Sequence, residues 1–235
     1  MGPTGSGKTG ISIKAAKKIG GEIISADSRA IYKGLDIGTA KPLPSDREGV
    51  PHFGFDLVEI GERFSAYDYK KYAEEKITEI QARGHRPMVV GGTGLYIDAL
   101  VYDYKFGPRK VKKDETGEYP DRKEVCINYL LIGVKVDDVV LRQRLMERVN
   151  KMFVQELFDE CKKLVQRVGE ENVRKYGNVY EFAWRYMKGE INLDEAKRLN
   201  FYADWHLAKR QMTWFKRNKK IKWMETQEIE KFFGV

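Results

Sequence analysis

The chain has 235 residues, 42% of them hydrophobic, enough for one large domain or a domain with a small insertion. No apolar run approaches the ~20 residues of a membrane span, no signal peptide opens the chain, and two cysteines with three histidines out of ligand spacing argue against a disulfide framework or a His-based metal centre, so a cytoplasmic location is expected. Lys and Arg outnumber Asp and Glu by 43 to 35, a formal charge of +8 that favours a polyanionic partner.

Residues 1–9 read MGPTGSGKT. Gly2, Gly7, Lys8 and Thr9 complete the P-loop spacing G-x-x-x-x-G-K-[ST], with Thr4, Gly5 and Ser6 between them. Such a loop turns successive backbone N–H groups inward and adds the positive end of the following helix. Lys8 supplies a point charge and the Thr9 hydroxyl can ligate Mg²⁺. Ile11, Ala15, Ala16 and Ile19 predict a helix over 8–19, which speaks against a chance match in a Gly-rich turn. A P-loop normally follows a buried strand. Only Met1 stands ahead of this one, so loss of an upstream strand from the sequence is expected; the alternative is a sheet lacking a central strand, with costly unpaired edges.

The first half then alternates. A strand is predicted over 22–26 and a polar, turn-rich stretch over 27–61. A helix follows over 65–83, with Ser65 as N-cap and Gly84 as stop. A strand over 87–90 leads to Gly91-Gly92-Thr93-Gly94, which opens another helix. This pattern is α/β with a parallel sheet. The segment 101–128 is charged and punctuated by Gly107, Pro108, Gly117 and Pro120; it reads as a long excursion or small insertion, either an extra RNA contact or a plain loop.

A strand over 129–134 returns to the sheet, and the rest is mostly helical. Asp137 or Asp138 caps a helix carrying Leu141, Leu145, Val149 and Met152. Further helices are predicted over 154–168 and 178–188, and Asn192 with Glu195 makes a capping-box-like start to the last. There Ala196, Leu199, Ala203 and Leu207 mark a buried stripe that continues to Arg210 and Trp214. A guanidinium on an inward stripe needs an anion, either a diphosphate across the cleft or a structural carboxylate. Tyr202, His206, Lys209 and Thr213 form an adjacent face suited to a polyanion. Lys209, Arg210, Lys216, Arg217, Lys219, Lys220 and Lys222 crowd the end of the chain among Trp214, Phe215 and Trp223. They suit phosphates and unpaired bases, or are a solvated basic helix end.

In open α/β sheets ligands bind at the carboxyl ends of the strands. Asp27 stands at one such end, as a Mg²⁺ partner, a general base or a turn cap. The loop around Thr93 stands at another and allows close approach of a ligand, or is an ordinary turn.

Four stretches, residues 2–9, 25–29 with 31–42, 91–97 and 208–215, together resemble the tRNA dimethylallyltransferases, also called tRNA isopentenyltransferases. The resemblance spans both ends of the chain and omits roughly 101–128. It implies a P-loop NTPase-like parallel sheet flanked by helices, a helical C-terminal part, and a single domain over 1–235 in which 101–128 replaces a larger tRNA-gripping insertion. The implied reaction moves a dimethylallyl group from its diphosphate to the exocyclic amine of the adenosine 3′ of the anticodon, on a base taken out of the stack. Thr4, Gly5, Ser6, Gly7, Lys8, Thr9 and Arg210 would hold the diphosphate, with Thr9 on Mg²⁺. Asp27, Thr9 and Arg210 would be catalytic, Asp27 as the base. Asp27, Ser28, Arg29, Ala30, Thr93 and Gly94 would meet the adenosine, and Lys209, Gln211 and Trp214 the rest of the tRNA. The implied partners are a tRNA anticodon stem-loop and dimethylallyl diphosphate, with the protein a monomer.

The chain departs from the family pattern at Ala30, where Gln is usual, and at Pro51-His52-Phe53, where a His-His pair is common. Two other readings compete: a P-loop small-molecule kinase that binds ATP, and a catalytically inactive RNA-binding relative.

Overall fold

The computed structural model describes residues 1–102, 104 and 129–235, so the expected excursion over 101–128 lies almost wholly outside the described residues. Helix α1 (Lys8–Ile19) begins where Gly7, at φ 85°, turns the chain into its first turn, and ends at Gly20. Strand β1 (Gly21–Ala26) is buried along its whole length and pairs in parallel with β2 (His52–Phe53) on one side and β3 (Arg86–Gly91) on the other. Parallel strands covered on both faces read as continuous apolar runs, which is why Ile23 and Ile24 are adjacent. Between β2 and β3, α2 (Ala66–Ala82) opens on a reciprocal cap: Asp68 N donates to Ser65 Oγ, and Ser65 N donates to Asp68 Oδ2. Helix α3 (Gly94–Val101) follows the β3 turn.

The second half supplies β4 (Ile132–Val134), α4 (Asp138–Met152), α5 (Gln155–Val168), α6 (Asn178–Met187), α7 (Leu193–Phe215), β5 (Lys222–Met224) and α8 (Thr226–Phe233). β4 and β5 form a second parallel pair. Met1 stands against it: its amine donates to Ile132 O at 2.8 Å, and Val134 N donates to Met1 O at 2.9 Å. One apolar core lies among α4–α7 and a second between the three-stranded sheet, α2 and α3.

Several expectations are corrected. The strand expected over 129–134 to return to the sheet is confined to Ile132–Val134 and pairs with β5 in a separate two-stranded sheet; β5 was not anticipated, because three-residue strands carry almost no periodic signal. At α7 only half of the capping box forms: Asn192 Oδ1 accepts from Glu195 N, while the Glu195 carboxylate turns to Arg198 at 2.8 Å. The buried residues of α7 are Ala196, Asn200, Phe201, Ala208 and Phe215, so of the predicted stripe only Ala196 is buried. Leu199, Ala203 and Leu207 are half-buried and Arg210 is exposed; Leu207 and Arg210 face a cavity instead of a packed core. The C-terminal aromatics also differ from the base-stacking expectation: Phe215 is buried, and Trp223 packs in β5 over Gly133, where only a glycine leaves room for the indole. The basic residues around them do face solvent.

The loop 36–42 between β1 and β2 is held by a buried carboxylate. Glu160 of α5 accepts from Asp36 N (2.8 Å), Ile37 N (3.0 Å) and Gly38 N (3.0 Å), and the Tyr180 hydroxyl donates to it as well. Three successive amides make an anion-binding concavity, here filled by the protein itself. Lys41, its side chain 3% exposed, closes the loop by pairing with Asp36 at 2.6 Å and Asp56 at 2.7 Å. Glu160→Ala leaves three amides and a phenol without an acceptor. At about 1–3 kcal/mol for each orphaned group, we expect a loss of at least ~3 kcal/mol, read as a fall in denaturant midpoint; an unchanged midpoint would refute this account of the loop.

Candidate active site

A cavity of about 460 Å³ lies at the carboxyl ends of β1 and β3, the place where open parallel sheets bind ligands. The P-loop forms its floor, the loop 38–42 one side, and α4 and α7 the roof. Thr4, Lys8, Thr9, Asp27, Thr93 and Arg210 all line it, brought together from positions spread over most of the chain.

At the floor Lys8 Nζ donates to Pro3 O at 3.2 Å. Burial pushes its ammonium down to about 8; the Asp27 charge works against this and Arg148 adds to it. A bound anion would stabilise the charged form. Asp27 Oδ1 accepts from Arg29 N at 2.9 Å. The turn-capping role is therefore real, and it leaves the other carboxylate oxygen without a hydrogen bond among the described residues. Thr93 ties the two strand ends together, its Oγ1 accepting from Ser28 N at 3.0 Å. The glycines beside it admit side chains of α7: a Cβ on Gly94 would overlap the Trp214 indole, and one on Gly92 would meet the Gln211 amide. His52 also lines the cavity, its Nδ1 bonded to Val50 O at 2.7 Å and its pKa lowered by burial.

α7 is clamped onto this floor. Thr4 N donates to Gln211 Oε1 at 2.8 Å, Gln211 Nε2 donates to Gly92 O at 2.9 Å, and Trp214 Nε1 donates to Asp98 Oδ2 at 2.9 Å. The cavity-facing positions Asn200, Asp204, Leu207, Gln211 and Trp214 recur at spacings of three and four, one face of the helix. Arg210 beside them forms no ion pair with a carboxylate among the described residues, where a structural salt bridge was the alternative weighed for it. Lys209 lies away from the cavity, paired with Asp138 at 2.6 Å and over the Trp205 ring at 4.4 Å. Gly5, Ser6 and Gly7 shape the loop from behind, where Arg144 Nη1 donates to Ser6 O at 3.0 Å.

Arg148 was missed by reading the sequence. It projects from α4 into the cavity, its Nη1 donating to Thr4 Oγ1 at 2.9 Å and its Nε 3.9 Å from Asp204 Oδ2. The signal was present: Arg148 falls seven residues after Leu141 and three after Leu145, on the inward stripe of α4, the same argument that singled out Arg210.

The parallel sheet, with the P-loop lining a cavity at the carboxyl ends of its strands, defines a P-loop α/β protein. The IPP transferase family model matches residues 30–125 and 109–218. A tRNA dimethylallyltransferase of Carboxydothermus hydrogenoformans is 36% identical over 98% of this chain and 93% of its own length, and one of Pelotomaculum thermopropionicum is 33% identical over 97% and 90%. The crystal structure of the full-length tRNA isopentenylpyrophosphate transferase of Bacillus halodurans superposes with a TM-score of 0.84 at 30% identity, covering 99% of this chain and 92% of that one. The chain belongs to the tRNA dimethylallyltransferase (IPP transferase) family. Among its described residues no helix is long and apolar enough to cross a membrane.

Proposed function

We propose that this chain transfers a dimethylallyl group from dimethylallyl diphosphate to the exocyclic amine of the adenosine 3′ of a tRNA anticodon. The observation that carries the reading is the convergence of the P-loop, Asp27, Arg148 and Arg210 on one cavity, in a chain of this family. The P-loop amides, Lys8, Arg148 and Arg210 hold the diphosphate. The amine nitrogen attacks the allylic carbon, the carbon–oxygen bond to the diphosphate breaks, and the amine proton passes to Asp27. Charge grows on the departing diphosphate, which is where the fixed cations act.

Mg²⁺ fits this arrangement through the Thr9 hydroxyl, with the diphosphate supplying further oxygens. Thr9 lines the cavity beside Lys8, and an ion that keeps waters and takes substrate phosphates as ligands needs few ligands from the protein. It would supply charge neutralisation on the diphosphate. Ser28, Arg29, Ala30, Thr93 and Gly94 border the adenosine entrance. The basic residues of α7 and the C-terminal turn, with Lys209 on the outer face, meet the tRNA backbone.

We read 101–128 as a short replacement for a larger insertion of the relatives. The two parts of the family match, 30–125 and 109–218, meet and overlap within it, and the stretch aligned to the Carboxydothermus protein, 288 positions, exceeds the 235 residues of this chain.

The test is transfer itself: the chain, Mg²⁺, dimethylallyl diphosphate and an anticodon stem-loop with adenosine 3′ of the anticodon, analysed by mass spectrometry. A prenylated adenosine is expected. Binding of the stem-loop without product would favour the inactive binder, and phosphate release from ATP the kinase. Arg210→Ala should weaken inorganic diphosphate binding and slow transfer together by about tenfold or more. A change in thermal stability alone would remove Arg210 from the diphosphate site.

A further inference from the structure

We propose that Asp204 is a positioning residue that holds the Nε edge of Arg148, so that the guanidinium presents its remaining edge to the donor's diphosphate; this rests on the reading of the cavity given above. Arg148 comes from α4 and Asp204 from α7, and both line the cavity. Arg148 is tied to the P-loop through Nη1 on Thr4 Oγ1, at 2.9 Å. On its Nε side stands Asp204 Oδ2 at 3.9 Å, beyond hydrogen-bond range but within that of an ion pair. Both atoms are buried, and neither has a hydrogen-bond partner among the described residues. The pair can therefore close without breaking any other bond of these two atoms. A planar guanidinium restrained on two edges has one orientation left for its Nη2 edge, whereas one restrained only at Thr4 can swing about that bond.

Asp204 is otherwise hard to explain. Asp27 has the role of the base; a second carboxylate works against a polyanion in a site lined by Lys8, Arg148 and Arg210, yet Asp204 lines it with its side chain only 13% exposed. Burial raises its pKa, and the charges of Arg148 and Arg29 only partly oppose that. One turn earlier Asn200 Nδ2 is also buried without a partner, so no neighbouring amide relieves the carboxylate. A group retained against its own burial cost at a functional site is better explained by what it orients than by stability.

The sign of the stability effect separates the two roles. The folded-state carboxyl titrates above its ordinary value of 3.8, so its ionisation works against the fold as pH rises through that value toward the folded-state pKa, and fully above it. Asp204→Asn, close in volume, should leave the Tm at pH 7 unchanged or higher while lowering kcat for transfer about tenfold, with the KM for the stem-loop unchanged. In an Arg148→Ala background Asp204→Asn should have no further effect on kcat. Asp204→Ala provides the same cycle should the Asn variant fold poorly. Equal losses in both backgrounds, a wild-type kcat, or a lower Tm with a proportionate loss of active protein would each overturn the proposal. A wild-type rate for Arg148→Ala alone would overturn it by a different route, by removing the role of Arg148 on which it rests.

Discussion

Asp27→Ala is expected to lower turnover by at least ~10²-fold while inorganic diphosphate binding stays close to that of the unaltered protein, because a positioned general base contributes typically 10²–10⁴-fold to a proton transfer and nothing to holding the leaving group. The geometry supports separating the two effects. Asp27 bonds through one oxygen to Arg29 N and reaches the cavity from the end of β1, whereas the anion cradle comes from the P-loop and the two roof helices. The Asp27–Arg29 bond is also the weak point of the test, since its loss could loosen the turn. Asp27→Asn keeps the acceptor oxygen and removes only the basicity. Comparable rate losses in both variants, measured by single-turnover transfer, would place the effect in chemistry. Recovery in the Asn variant would place it in the turn and remove Asp27 from the base role.

Arg148→Ala is expected to cost about 10²–10³-fold in kcat, the range found when one preorganised donor to a developing oxyanion is removed, with a smaller effect on ground-state binding of dimethylallyl diphosphate. Arg148→Lys should recover little of this. A lysine restores the charge but not the planar fork that meets Thr4 Oγ1 on one edge and faces Asp204 on another. Full rescue by Lys would mean that only the net charge of the roof matters. Arg148 also keeps the Lys8 ammonium depressed, to about 8 together with burial. In the ligand-free protein Arg148→Ala should therefore move the Lys8 titration upward, a shift visible by NMR of the side chain.

The paired cations explain why α7 has to be clamped rather than merely packed. Gln211 bridges the P-loop and the β3 turn, and Trp214 fills the space above Gly94 while bonding to Asp98. The glycines of the Thr93 loop read from sequence as room for a ligand; in the fold that room is taken by α7, which is what sets the height of the roof. Gln211 and Trp214, expected to meet tRNA, have their polar atoms engaged within the protein, while the exposed Arg210 next to Gln211 has none so engaged among the described residues.

Much of this protein could be read locally. The P-loop, the Ser65 cap, a cap at Asp137 or Asp138 and the alternation of strand and helix depend on residues close in the chain, whose turn, cap and periodicity preferences act without a tertiary partner. Asp27, Thr93 and Arg210 could be nominated because strand ends and an inward guanidinium carry meaning in any α/β fold. What local preference could not reach were facts set by separation in sequence: that Glu160 fills the amide concavity at residues 36–38, that β5 pairs with β4 across most of the second half of the chain, and that one side of α7 faces a cavity instead of a core. An amphipathic stripe records only that one side of a helix avoids bulk water. Whether that side meets packed side chains or a ligand cavity is decided by what the rest of the chain places opposite it, and here that was the P-loop, with Arg148 and Asp204 meeting above it.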